Sequence, residues 1–180
     1  MPESHPLSVG HVGIQVGQPY GNKVFLASDL VIGVGCRFSD RHTGALKVYQ
    51  GDRKFIHIDI EPSQIGRVFQ PDLGIVSDAS KAIDMLTEGA KARSLGSATC
   101  RNAAVDTAVR AEMARKTDYD TTPIKPHRVF DAVNKVFGTD AHYTAGCGIT
   151  QIWGGQLQQL DKPMQYLPSG GAGTLGFEVP

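Results

Sequence analysis

An excess of charge of either sign is missing: 18 Lys and Arg balance 18 Asp and Glu, so the net charge is zero. That balance argues against a general binder of nucleic acid or other polyanions. No apolar run approaches the roughly 20 residues a membrane-spanning helix needs. Cysteine is scarce, and Cys36, Cys100 and Cys147 are odd in number, far apart and without a CxxC spacing. A disulfide framework or a zinc site is therefore not expected, and a reducing cytoplasm is the default compartment. The six histidines form no His-x-x-x-His or Glu-x-x-His pair, so no metal site built within the chain is expected. Residues Met1 to Gly10 have neither a basic start nor an apolar core, which reads as no secretory signal. Internal repeats, low-complexity tracts and a G-x-G-x-x-G after a first strand are also lacking.

What is there suits a folded chain of 180 residues with 41% hydrophobic and 20% charged residues. Glycine, at 21 residues, stands above its usual level of about 7% and points to tight turns or to backbone brought close to a ligand. Tyr20 to Ser28 reads as a short helix. Leu30 to Gly35 is a continuous apolar run and predicts a buried parallel strand. Phe55 to Ile60 is a second strand, ended by Glu61-Pro62, and Leu73 to Val76 a third. Ser77-Asp78 offers caps for a helix over Ala79 to Ala92. Repeated strand-then-helix units predict an α/β, Rossmann-like parallel sheet. A further helix is expected over Asn102 to Lys116. Another begins at Pro126 and runs to Phe137, with Val129, Phe130, Val133, Val136 and Phe137 as its inward stripe. A second α/β domain starts near Ala141. The expected division is 1–92, a connecting stretch 93–124, and 125–180. The last part ends in the glycine-rich turn Gly170 to Gly176 with too little α/β pattern to bury a core, so the chain reads as a fragment.

Five features could carry chemistry. Gly35-Cys36-Arg37 with Arg41-His42 lies at the carboxyl end of a strand, where open α/β sheets place ligands, and two arginines four apart could grip phosphate. Solvated arginines in a plain loop are the alternative. Asp59 in Ile58-Asp59-Ile60-Glu61 ends the second strand, a usual place for gripping a ribose hydroxyl, or simply an exposed carboxylate. Asp78 reads first as a helix cap that could also face the same ligand. Gly146-Cys147-Gly148-Ile149-Thr150 precedes a helix whose free amides suit a diphosphate, or is a plain turn. The Gly170 to Gly176 turn permits close approach to a flat cofactor.

The tracts Tyr20-Gly21-Asn22, Arg41-His42-Thr43-Gly44, His57-Ile58-Asp59-Ile60-Glu61-Pro62, Gln64-Ile65-Gly66-Arg67-Val68 and Pro71 to Asp78 resemble those of glyoxylate carboligases (tartronate-semialdehyde synthases). These belong to the thiamine-diphosphate (ThDP) enzymes, close to acetohydroxyacid synthase. Arg115-Lys116-Thr117 and Pro123 to Pro126 continue the resemblance, which covers nearly the whole chain. The tract Gly146 to Gln156 and the ending Leu167 to Pro180 are more similar to acetohydroxyacid synthase, which leaves glyoxylate and pyruvate open as substrates.

The resemblance implies most of a central domain, without its first strand and helix, plus the start of a C-terminal ThDP-binding domain. It implies FAD in a non-redox role beside Gly13, Ile14, Gln15, Gly35, Cys36, Arg37, Arg41, His42, Asp59, Ile60, Gln64, Asp78 and Ala79. It implies ThDP beside Cys147, Gly148, Ile149, Thr150, Gly173 and Leu175. Magnesium is implied as well, but its Gly-Asp-Gly…Asn motif would lie beyond Pro180, so neither metal ligands nor catalytic residues are expected within this chain. The implied reaction joins two glyoxylate molecules to tartronate semialdehyde with loss of CO2. An acetolactate synthase-like enzyme and a non-catalytic FAD-binding module are the alternatives. A homo-oligomer, a small 2-oxo acid substrate, and no nucleic acid or membrane partner complete the expectation.

Overall fold

The computed structural model describes residues 2–93, 107, 111, 114, 119–138 and 140–178. The expected helix over Asn102 to Lys116 falls almost wholly outside them. The chain divides into two bodies, one of Met1–Lys23 with Met113–Pro180 and one of Val24–Glu112.

Helix α1, Pro19–Leu26, opens on a proline, whose fixed φ suits a first helical turn. In the second body, strand β1 (Leu30–Val34) is followed by two short helices, α2 (Asp40–Thr43) and α3 (Leu46–Gln50). Strand β2 spans Lys54–Asp59, a 3-10 turn covers Pro62–Gln64, and β3 spans Leu73–Val76. Helix α4, Ala79–Ala92, starts at Asp78, whose side chain accepts from the Lys81 amide as an N-cap. The sheet is parallel in the order β1-β2-β3, with Gly33 beside His57 and Asp59 beside Val76. This is the α/β parallel arrangement the strand and helix signals predict.

Strand alternation sorts β2 into two faces. Phe55, His57 and Asp59 face one side, where Phe38, Tyr49 and Phe55 form a buried aromatic cluster joined by Phe25, Val31, Val68 and Phe69. Phe38 meets the Phe55 and His57 rings edge-on, at centroid separations of 6.2 and 4.9 Å. Gly33 makes room for it, because a methyl group there would stand 2.6 Å from the Phe38 ring.

Arg53 ties this layer to the helices. Its guanidinium donates to the carbonyls of Phe25 (3.1 Å) and Leu26 (3.1 Å) at the end of α1. It also donates to those of Val48 (3.2 Å), Tyr49 (2.7 Å) and Gln50 (3.0 Å) at the end of α3. Carbonyls in a last helical turn have no partner within the helix, so one cation closes two helices and favours both dipoles.

The expectation of a buried β1 needs correction. Leu30 and Ile32 are 49% and 46% exposed, and Leu73, on the same face of the sheet, is 50% exposed. An apolar run reads as buried on both sides only if a layer covers each side. Among the described residues, helix α4 packs along β2, and Ile58, on the face opposite the aromatic cluster, is buried.

In the first body, helix α5 (Pro126–Phe137) leads to strand β4 (Tyr143–Ala145), helix α6 (Ile149–Leu157) and strand β5 (Tyr166–Pro168). β4 and β5 pair in parallel. The stripe expected to point inward from α5 does so only in part. Phe130 and Val133 are half-buried, whereas Val129, Val136 and Phe137 are exposed. Asn134 anchors the helix instead, donating to Leu157 O at 3.2 Å while its side-chain oxygen accepts from Gln158 Nε2. The amino-terminal segment packs on α6 through His11 Nδ1, which lies 2.8 Å from Gly155 O.

Replacing Arg53 by Lys should destabilise the second body by about 2 kcal/mol or more, since an ammonium cannot fan across five carbonyls. Gly33→Ala should cost about 1–3 kcal/mol through overpacking against Phe38. Urea unfolding followed by circular dichroism checks both, and an unchanged midpoint would refute either account.

Candidate functional site

The three strand ends of the second body meet at one edge. β1 runs out into Gly35, Cys36 and Arg37, β2 into Asp59 and Ile60, and β3 into Ser77, Asp78 and Ala79. The sequence-predicted residues Gly35, Cys36, Arg37, Asp59, Ile60, Asp78 and Ala79 are thus brought to a common border, with Gln64 on the turn after β2. Backbone bonds lace this border together: Gly35 N donates to Ile58 O at 2.8 Å and Ser77 N to Asp59 O at 3.0 Å. Gly35 adopts φ 61°, open to glycine at no steric cost, and no atom lies within 4 Å of where a Cβ would stand. That is an uncovered stretch of backbone at the end of a strand, suited to a ligand's close approach.

Asp59 is buried at this edge, and its Oδ1 accepts from the Glu61 amide at 2.9 Å. Arg37 and Arg41 are both exposed. Arg67 braces the loop from below, donating to Gln64 Oε1 at 3.0 Å and to Arg37 O at 3.4 Å. The role of Arg67 was not anticipated, although a Gln and an Arg three apart on one turn are a readable pair. Ile60 is 70% exposed and so available for apolar contact.

Behind the arginines lies a compact cluster. Cys36 Sγ is 3.6 Å from His42 Nδ1, and the Tyr49 hydroxyl is 3.4 Å from His42 Nε2. Burial pushes the Cys36 thiol up, a backbone bond at Phe38 opposes this, and the Asp59 charge adds to the rise. Cys36 is therefore a neutral thiol and a poor nucleophile at neutral pH. Burial drives the Tyr49 phenol up as well, with Cys36 adding and Arg53 opposing. Burial lowers His42, so this imidazole sits in its site as the neutral base.

Gly13, Ile14 and Gln15 belong to the first body, whereas the other residues expected beside the flavin belong to the second. Asn22 clamps Gly13 from both sides, accepting from its amide at 2.8 Å and donating to its carbonyl at 3.0 Å. Ile14 is exposed, and Gln15 O accepts from Gln156 Nε2 of α6 at 3.4 Å.

The residues expected beside ThDP do come together. β4 ends at Ala145, and Cys147 and Gly148 lead into α6 at Ile149 and Thr150. The glycine-rich turn folds back on them, with Thr174 O accepting from the Cys147 amide at 3.4 Å. A Cβ on Gly173 would lie 3.5 Å from Cys147 Sγ, while Gly148 has open space beside it and Leu175 is exposed. Helix-start amides and an open glycine suit an anion. The Glu178 carboxylate, filling the space a Cβ on Gly146 would occupy, opposes one. Among the described residues no group of three or more His, Cys, Asp or Glu side chains is placed to hold a metal ion. No described helix is long and apolar enough to cross a membrane.

The lowered His42 has a sign. The unfolded chain takes up this proton near pH 6.5, and the folded chain only at lower pH. Its contribution is harmless at neutral pH and destabilises the fold as pH drops below about 6.5. Thermal unfolding of His42→Asn should fall less steeply with acid than that of the parent, and parallel curves would exclude the effect.

Comparison with known proteins adds the family. Residues 1–86 match the thiamine pyrophosphate enzyme central domain. The chain is 44% identical over 183 residues to a glyoxylate carboligase of Escherichia coli O157:H7, covering all of this chain and 31% of that protein. It is 37% identical to an acetolactate synthase large subunit of Corynebacterium glutamicum, with 99% of this chain and 29% of the relative covered. An acetolactate synthase of Mycobacterium avium is 32% identical, at 99% and 29% coverage. The chain thus spans about a third of the length of these curated relatives. The chain thus carries a match to the thiamine pyrophosphate enzyme central domain over residues 1–86 and is similar to a glyoxylate carboligase and to acetolactate synthases along its whole length.

Proposed function

We propose that this chain is the middle portion of a ThDP-dependent carboligase that condenses two glyoxylate molecules into tartronate semialdehyde with release of CO2. The 44% identity to a glyoxylate carboligase over the whole chain carries this reading. In it, residues 1–92 serve the central domain, 93–124 connect, and 125–180 open the ThDP-binding domain. The whole enzyme works in the cytoplasm as a homo-oligomer with magnesium bound elsewhere.

When bound, ThDP supplies the electron sink for losing CO2 from a 2-oxo acid. The share of this chain is to hold and orient. Cys147, Gly148, Ile149 and Thr150 present the open start of α6 to a diphosphate, and Gly173 and Leu175 border them. At the sheet edge, Arg37 and Arg41 face the phosphates of a non-redox FAD, while Asp59 takes a ribose hydroxyl. Gly35, Cys36, His42, Ile60, Gln64, Asp78 and Ala79 border the same nucleotide. The support for this assignment is that three strand ends converge where a doubly wound sheet binds nucleotides. A second reading, an acetolactate-forming synthase, is favoured by the relatives at 37% and 32% identity.

Protein captured from its source cells with an antibody to this chain should consume glyoxylate faster than pyruvate when ThDP and magnesium are supplied. The reverse preference would establish the acetolactate reading, and no turnover of either acid would sink both. Titration of the chain with FAD, read by flavin fluorescence, should saturate. Changing Arg37 and Arg41 together to Ala should weaken binding by a few kcal/mol at ~1.5–3 kcal/mol per charged hydrogen bond. Equal affinity would remove both arginines from the phosphate site.

A further inference from the structure

His57 is one of two described residues with a buried side-chain nitrogen that lacks a hydrogen-bond partner. It is 3% exposed, lies on β2 two residues before Asp59, and so projects from the same face. Phe38 packs edge-on against its ring at 4.9 Å. Its Nε2 is fully buried and makes no hydrogen bond, yet it stands 3.9 Å from Asp59 Oδ2. An unmade bond at a buried nitrogen is costly, and such groups call for a reason.

Asp59 supplies one. Its Oδ1 is already committed to the Glu61 amide at 2.9 Å, whereas Oδ2 is approached by the imidazole without a formed bond. We infer that His57 is a positioning residue for Asp59, whose Nε2–H restrains Oδ2 so that this oxygen faces a ligand hydroxyl at the sheet edge. The inference rests on the reading of that edge as a nucleotide site. A small turn of the carboxylate brings Oδ2 within hydrogen-bond reach of Nε2. With both oxygens held, the lone pair left on Oδ2 has one direction. A vicinal diol such as a ribose offers the donor it would accept. The role requires the proton on Nε2 and a ring that cannot swing, and Phe38 meets the second need by packing against it.

The test is a calorimetric titration of the full chain with ADP, 2′-deoxy-ADP and 3′-deoxy-ADP. The parent should prefer ADP over at least one deoxy analogue by roughly tenfold or more, the range for a hydrogen bond to a charged group. His57→Leu should erase that preference while leaving the weaker deoxy affinity unchanged, and His57→Gln, which keeps a terminal N–H donor, should restore much of it. His57→Asn keeps a polar group but withdraws it from Asp59, so it should behave as Leu does and serves if Leu prevents folding. A purely structural histidine would instead lower all three affinities together. An ADP preference that survives in both the Leu and the Asn variants overturns the inference and leaves the nucleotide reading standing. So does a parent that binds all three ligands equally. A parent that binds none of them overturns the nucleotide reading, and the inference with it.

Discussion

The second body depends on a single cation. Arg53 stands one residue before β2 and closes the last turns of α1 and α3 with five hydrogen bonds. Its guanidinium also lies 4.9 Å from the centre of the Phe25 ring, a stacked cation contact that adds to the bonds. Both helices feed the aromatic cluster, Phe25 from α1 and Tyr49 from α3, and that cluster covers the face of β2 carrying Phe55, His57 and Asp59. The placement of Asp59 at the sheet edge thus depends on a charge at the opposite end of β2. An ammonium in its place could serve only one or two of those carbonyls at a time.

Much of this was legible in the sequence, because strong local signals agree with the packing. Strands β1, β2 and β3 lie within a residue of the apolar runs that announce them, and Asp78 caps α4 as its position before Ala79 indicates. The convergence of Arg37, Asp59 and Asp78 follows from topology alone, since parallel strands put their carboxyl ends on one border. What periodicity could not convey is which side of an apolar strand receives a cover. Leu30 and Ile32 read as core and lie half-open, because burial is a property of the second layer and not of the residue. The fan of Arg53 had no local signature either: an arginine after a Gly-Asp turn looks like any solvated loop cation. His57 was readable in retrospect, since strand alternation forces it to share a face with Asp59.

The two candidate sites meet the same electrostatic problem by different means. At the edge of the three-stranded sheet, the exposed Arg37 and Arg41 supply positive charge, and the carboxylate of Asp59 is buried. At the start of α6 the attraction comes from backbone amides, and Glu178 works against it. The first arrangement is assembled within one body. The second, among the described residues, still awaits countercharge. Gly13 shows the same economy of means: one amide side chain, Asn22, satisfies both of its backbone groups and so imitates a strand partner where no strand is present.

Phe38 is one of two described non-glycine residues with positive φ, at 48°, and it is also among the most buried aromatics. Those two properties make opposite demands on any replacement. Glycine would accept the backbone angle and empty the centre of the aromatic cluster. Leucine would refill part of the space, tyrosine would bury an added hydroxyl, and both would keep the strain, commonly on the order of 1–3 kcal/mol. No single substitution improves on both counts, so the position is a local optimum bounded on every side. Mutational drift can reshape the exposed arginines around it, but the residue under them is confined by geometry to the one it has.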